Sequence, residues 1–84
     1  MPSYKPLNYL EVVKILRNLG FSLEPTTATS HQTWVCTRSS VSYAVTVYFH
    51  GSNKQFPPKT LKSIIEQSGV AKADFYSALR KKRS

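Results

Sequence analysis

The chain has 84 residues, and its 12 lysines and arginines against 4 aspartates and glutamates give a formal net charge of +8. That length fits one domain, residues 1–84, with a thin core, since a chain so short buries only about 60% of the surface it exposes when unfolded. The single cysteine, Cys36, excludes an internal disulfide and a cysteine-clustered zinc site, and no apolar run approaches the ~20 residues that span a bilayer.

Asn8 opens the first helix, expected over Asn8–Leu19. It is a good N-cap, and Glu11 three residues on completes a capping box. Leu7 and Val12 are placed for a hydrophobic staple. Tyr9, Val12, Val13, Leu16 and Leu19 follow the helical period as a buried stripe, with Lys14, Arg17 and Asn18 away from it. Gly20 ends the helix as a left-handed cap.

Three strands are expected next: Phe21–Glu24, His31–Thr37 and Val41–Phe49. Phe21 and Leu23 share one face of the first. Arg38-Ser39-Ser40 joins the last two as a hairpin whose turn type is open. Alternation puts Val41, Tyr43, Val45, Val47 and Phe49 on the buried face of the third strand, and Tyr48 outward. Burying Trp34 removes more apolar area from water than burying Val35. Trp34 and Cys36 are therefore expected inward and His31 outward, with Cys36 reading as a small buried hydrophobe suited to a reducing cytoplasm.

Residues 50–55 form a polar connection. Pro58 suits the first position of a second helix, whose inner side is Leu61, Ile64 and Ile65 and whose outer side is Lys59, Lys62 and Glu66. Gly69 ends it. A third helix is expected over Lys72–Lys81 with Phe75 and Leu79 inward, followed by a basic tail, residues 80–84. The order α-β-β-β-α-α implies an α+β domain: a three-stranded antiparallel sheet with its helices on one face.

The charge favours a polyanion, with nucleic acid first and anionic membrane second; no amphipathic segment is rich enough in bulky apolar residues to favour membrane, and an acidic protein partner is the main alternative to nucleic acid. Four scattered acids argue against a two-metal nuclease. Enzymatic chemistry here would rest on histidine acid–base catalysis. Of the two histidines, His31 begins a strand after the polar loop 25–30. Three readings stand for it: proton transfer on a ribose 2′-hydroxyl, a phosphate contact, or an idle surface imidazole. His50 reads as a strand-end residue or as a support for His31. Lys59 and Lys62 lie early in a helix, where positive charge opposes the dipole. A bound phosphate would relieve that, and a solvated face is the plainer reading. Tyr48 can stack on a base, and Ser30 and Thr60 can contact phosphate.

In this order, these residues resemble the HicA toxin family of small bacterial messenger-RNA interferases. The resemblance runs from about Lys5 to Leu79. It is carried by Leu7-Asn8-Tyr9-Leu10-Glu11-Val12-Val13-Lys14-Ile15-Leu16, then Leu19-Gly20-Phe21. Thr29-Ser30-His31 follows with Trp34 as its aromatic, then Val45-Thr46-Val47 with His50-Gly51. Pro58 and Thr60-Leu61-Lys62-Ser63-Ile64-Ile65-Glu66-Gln67-Ser68-Gly69-Val70 complete it. Thr29 stands where the family usually has glycine, and Ala71 lacks the usual capping hydroxyl.

The resemblance implies a double-stranded-RNA-binding-domain-like fold. It also implies a catalytic histidine at His31 and a HicB-type antitoxin that blocks the site. The resulting expectation is a cytoplasmic, metal-independent endoribonuclease that cleaves single-stranded mRNA with no cofactor and no membrane partner. Ser30, Tyr48, Lys59, Thr60 and Lys62 would hold RNA, with His50 in support. The alternative is an RNA-binding module without chemistry, or an inactive homologue that binds a partner.

Overall fold

The computed structural model describes residues 4–25, 31–49, 51 and 53–80. Its elements are α1 (Tyr9–Asn18), β1 (Ser22–Leu23), β2 (His31–Arg38), β3 (Val41–Tyr48), α2 (Pro58–Ser68) and α3 (Lys72–Ser77). The strands form one antiparallel sheet in the order β1-β2-β3, and the helices pack on one face, as in a double-stranded-RNA-binding domain.

The expected capping box opens α1. The Asn8 side chain accepts from the Glu11 N–H at 2.9 Å, and Glu11 Oε1 accepts from the Asn8 N–H at 2.9 Å. Val12 and Leu16 are buried as expected, and so is Ile15, which the predicted stripe omitted; Tyr9, Val13 and Leu19 are only partly buried. Asn18, expected away from the core, donates from Nδ2 to the Ala78 carbonyl at 2.8 Å and ties the end of α1 to the end of α3. Before α1, Leu7 is buried, and its carbonyl accepts from the Phe56 N–H at 3.0 Å. This strap brings Phe56, unremarked in the sequence, into the core.

Trp34 and Val45 face each other across β2 and β3 in the centre of the sheet and are almost wholly shielded. Gln32 shares the inner face of β2. Its Oε1 accepts from Tyr9 Oη at 2.7 Å and from Trp34 Nε1 at 3.3 Å, so the polar atoms carried inward find partners. Cys36 is partly rather than fully buried. Ser39 and Ser40 form a two-residue loop between the paired Arg38 and Val41, with φ of 49° and 66°. Positive φ at both positions matches the type I′ turn, whose twist suits a tight hairpin.

Three sequence expectations need correction at element ends. β1 is shorter than Phe21–Glu24; it pairs for two residues at the sheet margin, so Phe21 is buried while Leu23 is exposed. Val41 and Phe49, expected inside, lie at the two ends of β3 and are both exposed, although the Phe49 ring meets that of Tyr9 of α1 edge-on at 4.7 Å. α3 stops at Ser77 rather than Lys81, because the following N–H groups of Leu79 and Arg80 bond to carbonyls three residues back and tighten the chain.

α2 ends at Gly69, whose left-handed φ of 76° lets its N–H reach the Glu66 carbonyl. Beside it, Arg38 is a structural clamp. Its Nη2 donates to the Ser68 carbonyl, and its guanidinium lies 4.5 Å from the Tyr43 ring centroid and 5.8 Å from that of Phe21. On the far side of the fold, Tyr76 Oη donates to the Lys5 carbonyl at 2.9 Å. Burial, with Tyr4 nearby, raises the Tyr76 pKa above the usual tyrosine range.

Candidate active site

His31 begins β2 and Tyr48 ends β3, and the antiparallel register pairs them directly. Cross-strand partners project to the same face. Here the two rings meet edge-on, with centroids 4.5 Å apart and planes at 61°. Both side chains are exposed, Tyr48 at 53% of its full area. The outward placement predicted for both is therefore observed.

Tyr48 also lines an open groove of about 370 Å³ between β3 and α2. Thr46 and Tyr48 form its strand wall and Lys59, Thr60, Ser63 and Gln67 its helix wall, over the buried Ile64. Helical geometry explains the second wall, since residues four apart stack on one face and Lys59, Ser63 and Gln67 are spaced in that way. The groove's helix wall is fixed in orientation. Gln67 Oε1 accepts from the Thr46 backbone N–H at 2.8 Å, and Gln67 Nε2 donates to Ser63 Oγ at 3.1 Å.

The upper end of the groove is electropositive. Pro57 supplies no side-chain cap to α2, and the first turn holds no acidic residue. The lysine there sits at the positive end of the helix dipole, an arrangement that a bound anion stabilises.

Of the site residues expected from sequence, Tyr48, Lys59 and Thr60 gather in the groove, and His31 adjoins it through Tyr48. Lys62 is exposed but does not line the groove; it lies on the adjoining flank of α2. Ser30, His50 and Thr29 lie outside the described residues. Sequence reasoning missed Thr46, Ser63 and Gln67 as site residues. The signal was present: alternation places Thr46 beside Tyr48, and the four-residue step carries Lys59 to Ser63 and Gln67.

Against protein-family models, residues 10–70 match the one described as HicA toxin of bacterial toxin-antitoxin. No curated protein matches the sequence.

Proposed function

Because the chain belongs to the HicA toxin family through a match running from α1 to just past α2, we propose that it is an endoribonuclease that cleaves single-stranded mRNA through His31. Family membership supports a toxin role of nuclease type in the broad sense. The observation that carries the finer reading is the exposed imidazole of His31 set against Tyr48 at the rim of a lysine-bearing groove.

In this mechanism the His31 imidazole accepts the proton of a ribose 2′-hydroxyl. The 2′-oxygen attacks the adjacent phosphorus, the bond to the 5′-oxygen breaks, and that oxygen takes up a proton. The products are a 2′,3′-cyclic phosphate and a 5′-hydroxyl end. Lys59 and Thr60 hold phosphate oxygens and offset the charge that grows on them, with Lys62 and Ser30 as further phosphate contacts. His50 supports proton transfer. The reaction needs no metal ion from this chain, whose 4 acids are too scattered in sequence to suggest a two-metal site.

The mRNA substrate places the activity in the cytoplasm, and no helix among the described residues is long and apolar enough to cross a membrane. A HicB-like antitoxin would cover the His31 face, and the net charge of +8 offers complementarity to an acidic partner.

The test incubates wild type, His31→Ala and His50→Ala with labelled single-stranded RNA in excess chelator, after each is shown to be folded. A positioned proton-transfer group contributes about 10²–10⁴-fold to rate. The His31 variant is expected to lose cleavage on that scale while keeping most RNA affinity. DNA and 2′-O-methyl RNA are expected to bind uncut. Undiminished cleavage by the His31 variant would remove the mechanism, and loss only in the His50 variant would move the catalytic assignment.

A further inference from the structure

We infer that the groove between β3 and α2 reads the identity of one nucleobase, preferring guanine, with Gln67 as the discriminating residue. This inference rests on the proposed RNA substrate and names a specificity site within it. The groove's volume, about 370 Å³, falls in the range of small-ligand pockets, about 300–1,000 Å³.

Its lining has two characters. Tyr48 offers a half-exposed aromatic surface, which suits the flat face of a base, over a floor formed by the buried Ile64. Ser63 and Gln67 offer hydrogen bonds of fixed polarity. An amide side chain can ordinarily turn over and present either its oxygen or its nitrogen. Gln67 is prevented from doing so, because its Oε1 accepts from the Thr46 backbone N–H at 2.8 Å, and a backbone N–H can only donate. Its Nε2 must therefore face Ser63 and the groove, and one of its two hydrogens goes to Ser63 Oγ at 3.1 Å. The second Nε2 hydrogen remains for a ligand. Ser63 Oγ, already an acceptor, has its own hydrogen to give.

The pair thus presents two neighbouring donors. A base edge that matches them carries two neighbouring acceptors. Guanine offers this with O6 and N7 and cytosine with O2 and N3, whereas adenine and uracil set a donor beside each acceptor; the larger purine face stacked on Tyr48 favours guanine of the two. Tyr48 links the two functions, because its ring meets His31 and the residue also lines the groove. A base held on Tyr48 would set its own phosphodiester beside the histidine, so base recognition would select the bond that is cut.

The experiment measures binding of short 2′-O-methyl single-stranded oligonucleotides, identical except for one position that is A, C, G or U. Wild type, Gln67→Glu and Tyr48→Ala are compared at fixed salt. Gln67→Glu keeps an oxygen to accept from Thr46 but replaces the groove-facing donor with an acceptor. The added charge weakens all four ligands alike, so the readout is the ratio between bases. Wild type is expected to favour guanine over adenine by about tenfold, within the range for a matched two-bond contact. Gln67→Glu is expected to erase that ratio, and Tyr48→Ala to weaken all four ligands while keeping their order. Equal affinity of wild type for the four bases, or an unchanged ratio in Gln67→Glu, would overturn the inference. Because the ligands cannot be cleaved, a failure of the catalytic mechanism appears in the cleavage assay and not here.

Discussion

Replacing Gly69 with alanine tests how α2 is fastened to the sheet. Gly69 has a φ of 76°, where an L-residue with a Cβ is strained by about 1–2 kcal/mol. The added Cβ would also lie 2.3 Å from Tyr43 Cε1 and 2.7 Å from Cδ1. That ring cannot swing aside freely, since it carries the Arg38 guanidinium that reaches the Ser68 carbonyl. Forcing extra volume into such a contact costs about 1–3 kcal/mol more. The expected loss is therefore about 2–5 kcal/mol, a large part of the roughly 4–13 kcal/mol that a domain of this length commands.

Gly20→Ala is the control. Its φ of 97° is also left-handed, but the nearest atom its Cβ would meet is Cys36 Sγ at an ordinary 3.7 Å. It should lose only the backbone contribution, about 1–2 kcal/mol. Urea unfolding followed by the fluorescence of Trp34, the single tryptophan and a buried one, reads both variants. Equal losses in the two would refute the packing argument, and no loss in either would refute the backbone argument as well.

Two further outcomes are expected. RNA affinity should fall with salt, and Lys59→Ala and Lys62→Ala should each reduce the logarithmic salt slope by about 0.7 per lost phosphate contact, measured on uncleavable RNA; an unchanged slope would remove that lysine from the interface. Hydrogen exchange on adding a HicB-like antitoxin should show protection at His31–Thr33 and along α2, and protection confined to α1 would count against occlusion of the site.

The parts of the fold legible in the sequence were those fixed by local rules. Asn8 and Glu11 state a helix start within four residues, Gly69 states an end, and the alternation around Val45 and Val47 states a buried strand face. The misplaced residues lie at the ends of elements. Nothing in Val41 or Phe49 tells that full burial on β3 is confined to Val45 and Val47, and nothing in Leu23 tells that β1 pairs for only two residues. The site divided in the same way. The pairing of His31 with Tyr48 follows from hairpin register, and register depends on the two-residue turn at Ser39 and Ser40, whose type the sequence left open. The four-residue step puts Gln67 on the helix face of Lys59, but the orientation of its amide depends on a backbone N–H of Thr46, twenty-one residues earlier, which no sequence pattern displays.

The Gln67–Thr46 contact also bears on how this protein stays dispersed. β3 is an outermost strand, and a bare strand margin is a template on which another chain can add. At Thr46 the Gln67 side-chain oxygen occupies the position that the carbonyl of an incoming strand would take. The helix thus mimics one rung of a missing neighbour and interrupts the ladder midway along its length. Colloidal resistance here has two sources of different reach: long-range repulsion from a charge of +8, which salt screens, and a short-range steric plug, which salt leaves in place.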